Sequence, residues 1–395
     1  MRVLQINNEF PPLGGGTATV TFEFCRRLRE ADGISTEVVT SNGFGVSQSD
    51  YDELSDCLLT RLPLKQRCIH HASVFDLVRF AASSLRYLAF HPRRASFDIT
   101  LAWCTVPAGV VAFLLYKVYG LPYIIRVSGP DIPGFERRYR FIYPFLRPIL
   151  KAVWRSSTSI ICKCQEEANR VLGVLPSARV RVIPNGVDTE TYHPPAHRLS
   201  RSRVSMLCVA RLVERKGQRI AIRALAALRM LGVDAALTLV GDGDSRKAYQ
   251  DLATVLNVDA FVDFRGSVRR EEMPDVYRDA DIFILPSSAE SMSVACLEAL
   301  ASGLPLVLTS GGGTDAFLEH GKNGFSISHD DLDGFVSALS ILARDNDLRD
   351  AFGKYSRRLA HKFSWSTTTH EMIAALKESV NERNEGSQSS SEEAI

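Results

Sequence analysis

Apolar and polar positions along this chain alternate between two rhythms. Short runs are apolar almost throughout: RVLQI at 2–6, TEVVT at 36–40, DITLAW at 98–103, PYIIRVS at 122–128 and TSIICK at 158–163. Longer stretches between them place apolar residues every three or four positions. The first rhythm predicts strands covered on both faces, and the second predicts the helices that cover them. A second series follows with VSMLCVA (204–210), AALTLVG (235–241), FVDFRG (261–266), DIFILPS (281–287) and LPLVLTS (304–310). Helices are expected at 17–31, 107–119, 217–231, 244–256 and 293–302. This alternation predicts an α/β protein of two Rossmann-like, doubly wound domains. Sheets of this kind bind ligands at the carboxyl ends of their strands, so a central cleft between two facing domains is the expected site.

The break between the series, IPNGVDTETYHPPAHRLSRSR, has adjacent prolines, several turn formers and no apolar period. It predicts a linker near 186–203, with domains at 1–185 and 186–365. The polar 381–395, rich in Ser and Glu, is expected to be disordered. The uncharged run Ile99–Tyr116 borders on membrane-spanning length. Thr105, Pro107 and Gly109 interrupt it, so it reads as a strand, a turn and a core helix.

Charge changes the picture once it is counted by domain. The total of +2 conceals 23 basic and 17 acidic residues in 1–190, against 24 and 28 in the remainder, a net +6 and −4. The total does not support a nucleic-acid partner. Eight cysteines are spread over 395 residues with no C-x-x-C pair and no zinc spacing. They read as buried thiols of a reducing cytosol, and the opening MRVLQINNEF lacks the character of a secretory signal.

The most informative chemistry lies in 286–305. A strand ends at Pro286, a serine-rich turn holds Glu290, and a helix bearing Glu298 stops at Gly303 before Pro305. Ser291 or Ser293 suits its N-cap. Eight helical residues rise roughly 12 Å, too wide for a glycosidase carboxyl pair at about 5–9.5 Å. The spacing suits two anchors on one long ligand, with helix N–H groups between them for an anion. The alternative is that Glu298 is a solvated helix residue. Arg211 ends a strand and Lys216 enters the next helix, a pair suited to phosphate as fork and point charge, or else a solvated basic turn. Gly14–Gly16, Gly311–Gly313 and Val240–Asp244 are glycine turns at strand ends. None is G-x-G-x-x-G, which disfavours a dehydrogenase.

Taken in order, Gly14–Gly16, Ile183–Asp188, Ala210-Arg211-Leu with Lys216-Gly217, Val240–Gly243, Glu290-x7-Glu298 with Gly303-x-Pro305, and Gly311-Gly312 with Asn323-Gly324 resemble the retaining GT-B glycosyltransferases of family four, the "group 1" enzymes. The resemblance implies a metal-independent transferase. Arg211 and Lys216 would clamp a donor diphosphate. Glu290 would hold the donor sugar and Glu298 the ribose. The N–H groups of Ser291, Met292, Ser293 and Val294 would cradle a phosphate, and Gly15 and Gly16 would let the first domain close. It further implies that a last helix, about 366–380, packs back on the first domain. No cofactor is implied beyond the nucleotide-sugar co-substrate, and the acceptor would be a glycan or lipid-linked glycan. The chain departs from the pattern at Ser291, where the family has Gly, and at Gly312-Gly313-Thr314-Asp315, where the family has Gly-Gly-x-x-Glu. It departs again in the loop Ser128–Asp131, which lacks the family's His. Asp131, the ionisable group of that loop, is expected to face the acceptor. Another GT-B activity, such as a nucleotide-sugar epimerase, and a non-catalytic sugar-nucleotide scaffold are the alternatives.

Residues 137–155, RRYRFIYPFLRPILKAVWR, place Arg140, Arg147, Lys151 and Arg155 on one helical face. Ile142, Phe145, Leu146, Ile149, Leu150 and Val153 fall on another, and Pro144 and Pro148 predict a kink. The segment is expected to meet an anionic membrane surface, the alternative being a sheet-packing helix with a solvated basic side. The enzyme would then be cytoplasmic and peripheral at the inner face of the membrane.

Overall fold

The structure, a computed structural model, describes residues 1–11, 13–28, 33–42, 57–64, 73–92, 96–135, 141–196 and 203–392; for 130 and 384–392 it describes the backbone only. Two compact units emerge. One comprises Met1–Pro184 with Trp365–Ile395, the other Asn185–Ser364.

The first unit runs β1 (Arg2–Ile6), α1 (Gly16–Leu28), β2 (Ser35–Ser41), β3 (Cys57–Leu62), α2 (Val74–Ala89), β4 (Ile99–Ala102), α3 (Val110–Tyr119), β5 (Tyr123–Arg126), α4 (Tyr143–Ser156), β6 (Ser159–Cys162), α5 (Gln165–Val174) and β7 (Val180–Val182). Its strands form one parallel sheet in the order β3-β2-β1-β4-β5-β6-β7. Leu4, Ile6, Ile125 and Ile160 lie at the centre of its core.

The second unit runs β8 (Val204–Val209), α6 (Gln218–Met230), β9 (Ala235–Val240), α7 (Arg246–Val255), β10 (Val262–Gly266), α8 (Met273–Arg278), β11 (Ile282–Leu285), α9 (Val294–Ala301), β12 (Leu306–Thr309), β13 (Gly324–Ile327), α10 (Leu332–Arg344) and α11 (Asn346–Ala360). Its parallel sheet has the order β10-β9-β8-β11-β12-β13. Met206 pairs with Leu237 on one side and Ile282 on the other, all essentially inaccessible to water. The apolar runs are therefore strands covered on both faces. In each sheet the direction of winding reverses once, between β1 and β4 and between β8 and β11. A doubly wound sheet offers its ligand crevice at the carboxyl ends of such a strand pair.

Boundaries differ from expectation where tertiary contacts outweigh composition. The chain changes unit at Pro184–Asn185, before the expected linker. Residues 185–196 are instead tied into the second unit: the Val187 N–H donates to Phe363 O at 2.7 Å, and Arg357 donates to Thr189 O, Tyr192 O and Ala301 O. Residues 197–202 lie outside the described residues, as do 29–31 of the expected first helix and Cys68. Among the described residues, the other seven cysteines are free and buried.

The last helix, α12 (Trp365–Glu392), packs on α1, β4 and β5 and buries Met372, Ala375 and Leu376. Its backbone stays helical across 381–392, which were expected to be disordered. Arg181 pairs with Glu378 and Arg179 with Glu382, and a helix already nucleated by a buried stretch propagates at little further cost. Buried Arg126, at the end of β5, donates to Ile183 O at 3.1 Å and lies 3.5 Å from the Met372 sulfur. It thus joins the chain about to leave the first unit to the helix that returns to it. Burial lowers its guanidinium to about 10.

Segment 137–155 divides. Residues 136–140, Arg140 included, lie outside the described residues, and the rest is one helix, α4. Pro144 occupies the first turn, where its missing N–H has no partner to lose. Pro148 lies one turn further in and forgoes only the bond to residue 144, so the helix runs unbroken through both prolines. The expected apolar face is split as well. Leu150 and Val153 are buried with Tyr143 and Trp154, while Ile142, Phe145 and Ile149 are exposed.

Candidate functional site

The carboxyl ends of β8 and β11 carry the loops 210–217 and 286–293. Backbone interlock, more than side-chain packing, holds these loops together. A Cβ on Gly217 would sit 1.9 Å from Pro286 O, and one on Gly312 would sit 1.9 Å from Glu290 O. Both glycines have positive φ, 71° and 69°, so any other residue would be strained as well as obstructed. Ser288 N–H donates to Arg215 O at 2.9 Å, Arg215 Nη1 to Ala289 O at 3.1 Å, and Gly313 N–H to Glu290 O at 3.2 Å.

This scaffold brings several predicted residues to one edge. Lys216 Nζ donates to Glu290 Oε2, and both side chains are nearly shielded from water. Arg211 is half-buried in the same loop, its carbonyl held by Gln218 Nε2 at 2.9 Å. Ser291, Met292 and Ser293 are buried and lead into Val294, the first residue of α9. Asn185 fixes this approach, donating from Nδ2 to Met292 O at 2.9 Å. Ser293 is the N-cap by backbone conformation, but its hydroxyl makes no capping hydrogen bond. The first-turn N–H groups are therefore left without the side-chain acceptor a serine usually supplies.

Glu298, half-buried on α9, is not a solvated helix residue. The Tyr277 hydroxyl donates to its Oε2 at 2.8 Å, and Tyr192 supplies a second hydroxyl. The two rings meet edge to face at 5.6 Å. Burial pushes the Glu298 carboxyl above the usual range, while both hydroxyls and the nearby Arg270 guanidinium pull it back. The phenol of Tyr277 is raised well above its ordinary value by burial and by that carboxylate. Sequence reasoning missed Tyr192, Tyr277, Arg270 and Arg215. Tyr192 lies in the segment read as a linker, and nothing in the pattern of α8 marks Tyr277 as more than core.

The remaining predicted residues belong to the first unit. Gly15 precedes α1 and Gly16 opens it, exposed. Asp131 requires a correction: it does not face outward toward an acceptor. Its buried carboxylate accepts from the backbone N–H groups of Thr105 (2.8 Å), Val106 (3.3 Å) and Ser128 (2.9 Å) and from Ser128 Oγ (2.9 Å). It braces the loop after β4 against the loop after β5. Burial raises its carboxyl and these four donors oppose the rise.

Two parallel doubly wound sheets, with an interlocked, charged edge at the switch point of the second, match the architecture expected of a GT-B glycosyltransferase. The comparisons with known proteins agree. Sucrose-phosphate synthase from Thermosynechococcus elongatus superposes with a TM-score of 0.83 at 19% identity, covering 96% of this chain and 98% of that one. The model of "Glycosyl transferases group 1" matches residues 192–359, and that of "Glycosyltransferase Family 4" matches 14–191. The lipopolysaccharide core biosynthesis glycosyltransferase LpsE of Rhizobium meliloti is 31% identical over 268 residues, 65% of this chain and 76% of that protein. A GDP-mannose-dependent alpha-(1-6)-phosphatidylinositol monomannoside mannosyltransferase of Mycobacterium tuberculosis is 26% identical over 395 residues, covering 95% of this chain and 98% of that one. The chain belongs to the group 1 glycosyltransferases. It is a transferase, which sets aside the epimerase and the non-catalytic scaffold. Among the described residues, no helix is long and apolar enough to cross a membrane.

Proposed function

We propose that this enzyme transfers a hexose from a nucleotide diphosphate sugar to a hydroxyl of a glycan or lipid-linked glycan, with retention of anomeric configuration and without a metal. The observation that carries the reading is that one segment, 286–301, presents two acids in different settings. Glu290 stands against Lys216 and Glu298 stands between two tyrosines. Glu298 accepts from the ribose hydroxyls and Glu290 from the sugar hydroxyls near the reacting carbon. The N–H groups of 291–294 and the cations Arg211 and Lys216 hold the diphosphate and offset the charge left on it, the work a metal does elsewhere.

In the step proposed, the bond from the anomeric carbon to the phosphate oxygen breaks. The acceptor oxygen bonds that carbon on the same face, and its proton passes to the departing phosphate oxygen. The inward-turned Asp131 agrees with this, since the 128–131 loop then offers no carboxylate as a base.

The mycobacterial relative, named for a phosphatidylinositol-linked acceptor, supports a lipid-linked acceptor here. So does α4, which exposes Phe145 and Ile149 with Arg147 and Arg155, a composition suited to an anionic membrane surface; on this reading the enzyme is peripheral and acts at the cytoplasmic face. The test is calorimetric binding and turnover with UDP-, GDP- and ADP-sugars, alongside Glu290→Ala and Glu298→Ala, with the product's anomeric configuration read by NMR. Binding of one donor class, lost in Glu298→Ala, is expected. Failure of every nucleotide sugar to bind would end this reading, and an inverted product would end its stereochemistry.

A further inference from the structure

The charge and apolarity attributed to α4 do not stop there. Helix α2 is held at its start by a reciprocal cap between Ser73 and Asp76 and buries Phe80, Ser84 and Leu88. Its opposite face exposes Phe75 (67%) and Val78 (61%), followed by Arg79, Ala82 and Arg86, with Phe90 just beyond the helix end. The Arg79 guanidinium lies 5.5 Å above the Phe75 ring, so the cation and the aromatic project together. Helix α3 packs against both α2 and α4. It exposes Val118 and Tyr119 beside Lys117.

Across α2, α3 and α4 the basic residues are Arg79, Arg86, Lys117, Arg147, Lys151 and Arg155, and the one acid is Asp76, engaged in its cap. A surface of this composition repels a second copy of itself. It attracts an anionic layer that also accepts apolar side chains, as a bilayer of acidic phospholipid does and a nucleic acid does not. Each helix follows a strand of a parallel sheet, so Phe75 and Val78 of α2 and Phe145 of α4 stand at the carboxyl edge. The turn at 105–109, after β4, touches both helices there.

We propose that α2 is a second membrane-docking element: Phe75 and Val78 enter the interface of an anionic phospholipid bilayer beside Phe145 and Ile149, while Arg79 and Arg86 contact lipid phosphates. The inference rests on the membrane reading of α4 and extends it to a second helix of the first unit.

The test is co-sedimentation of the full chain with vesicles of phosphatidylcholine alone or mixed equally with phosphatidylglycerol, at low and high salt. Wild type is compared with Phe75→Ser/Val78→Ser, Phe145→Ser/Ile149→Ser and Arg79→Gln/Arg86→Gln. These side chains are exposed, and thermal unfolding verifies that each variant is folded. Binding to the mixed vesicles is expected to weaken roughly tenfold or more for each apolar pair and to lose part of its salt dependence in the arginine pair. If the α4 pair loses binding and both α2 pairs bind like wild type, the role of α2 is overturned and the α4 reading stands. If wild type binds neither vesicle at low salt, both fall, while donor binding still tests the transferase separately. Equal binding to neutral vesicles, or an α2 variant that changes only the oligomeric state by light scattering, would also overturn the proposal.

Discussion

If Glu298 grips the ribose, the hydroxyl of Tyr277 helps to keep it charged, and Tyr277→Phe tests this with one atom. The ring is fully buried and meets Tyr192 at 5.6 Å and Phe283 at 6.1 Å, contacts that phenylalanine preserves. What is deleted is the 2.8 Å hydrogen bond to Glu298 Oε2. Hydrogen bonds to charged groups contribute about 1.5–3 kcal/mol, and each 1.4 kcal/mol is roughly a factor of ten in affinity. Because the Tyr192 hydroxyl still favours the carboxylate, the lower end applies, and nucleoside diphosphate binding at neutral pH should weaken about tenfold. Removing both hydroxyls should cost more than either alone.

The pH dependence gives the sharper discrimination. Burial already raises the Glu298 carboxyl, and Tyr277 is first among the groups that lower it. Deleting that donor raises the carboxyl further, so more of it is protonated at any mildly acidic pH. A protonated acid accepts poorly from ribose hydroxyls, so the affinity deficit of the variant should widen from pH 8 to pH 5.5 in calorimetry. Unchanged affinity at both values, or a deficit larger at pH 8, would refute the reasoning. A simple loss of folding would show as a lowered thermal midpoint at both.

Glu298→Gln should destroy donor binding yet stabilise the free protein. A carboxyl raised on folding carries no penalty below its unfolded value of 4.5 and costs stability once ionised, so the gain should be present at pH 8 and vanish near pH 4 in thermal melts. Lys216→Ala should lower kcat by about 10²–10³, the scale of losing one preorganised charge-stabilising group, with Lys216→Arg partly restoring it; a loss under fivefold would remove Lys216 from the diphosphate clamp. Asp131→Ala strands three backbone donors and should destabilise by about 3 kcal/mol in urea unfolding, whereas a change confined to acceptor KM would return the residue to its expected outward role.

The fold was legible because its signal is repetitive. Apolar runs such as SMLCV or IFIL, too short for helices and bounded by turn residues, read as strands covered on both faces, and most intervals between consecutive runs suit a crossover helix. The candidate edge was legible because phosphate chemistry needs glycines and cations at strand ends, as at Gly217, Gly312 and Lys216. What escaped were contacts whose partners lie far apart in sequence. Tyr192 and Tyr277 are separated from each other by the whole of three strands, and only packing against α9 turns them toward Glu298. Asp131 misled for the same reason: a lone acid in a polar loop reads as exposed, and the three amides that claim it belong partly to a turn 25 residues earlier. The tail shows the opposite error, since composition judged 381–392 by itself while Arg181 of a distant strand pairs with Glu378 just before it and the adjacent Arg179 with Glu382 at its start. Sequence thus reports what a residue can do, and the set of groups facing it decides which capacity is used. At Glu298 the two tyrosines leave a carboxylate ready to accept; at Asp131 four donors from two loops commit a buried carboxylate to bracing the fold.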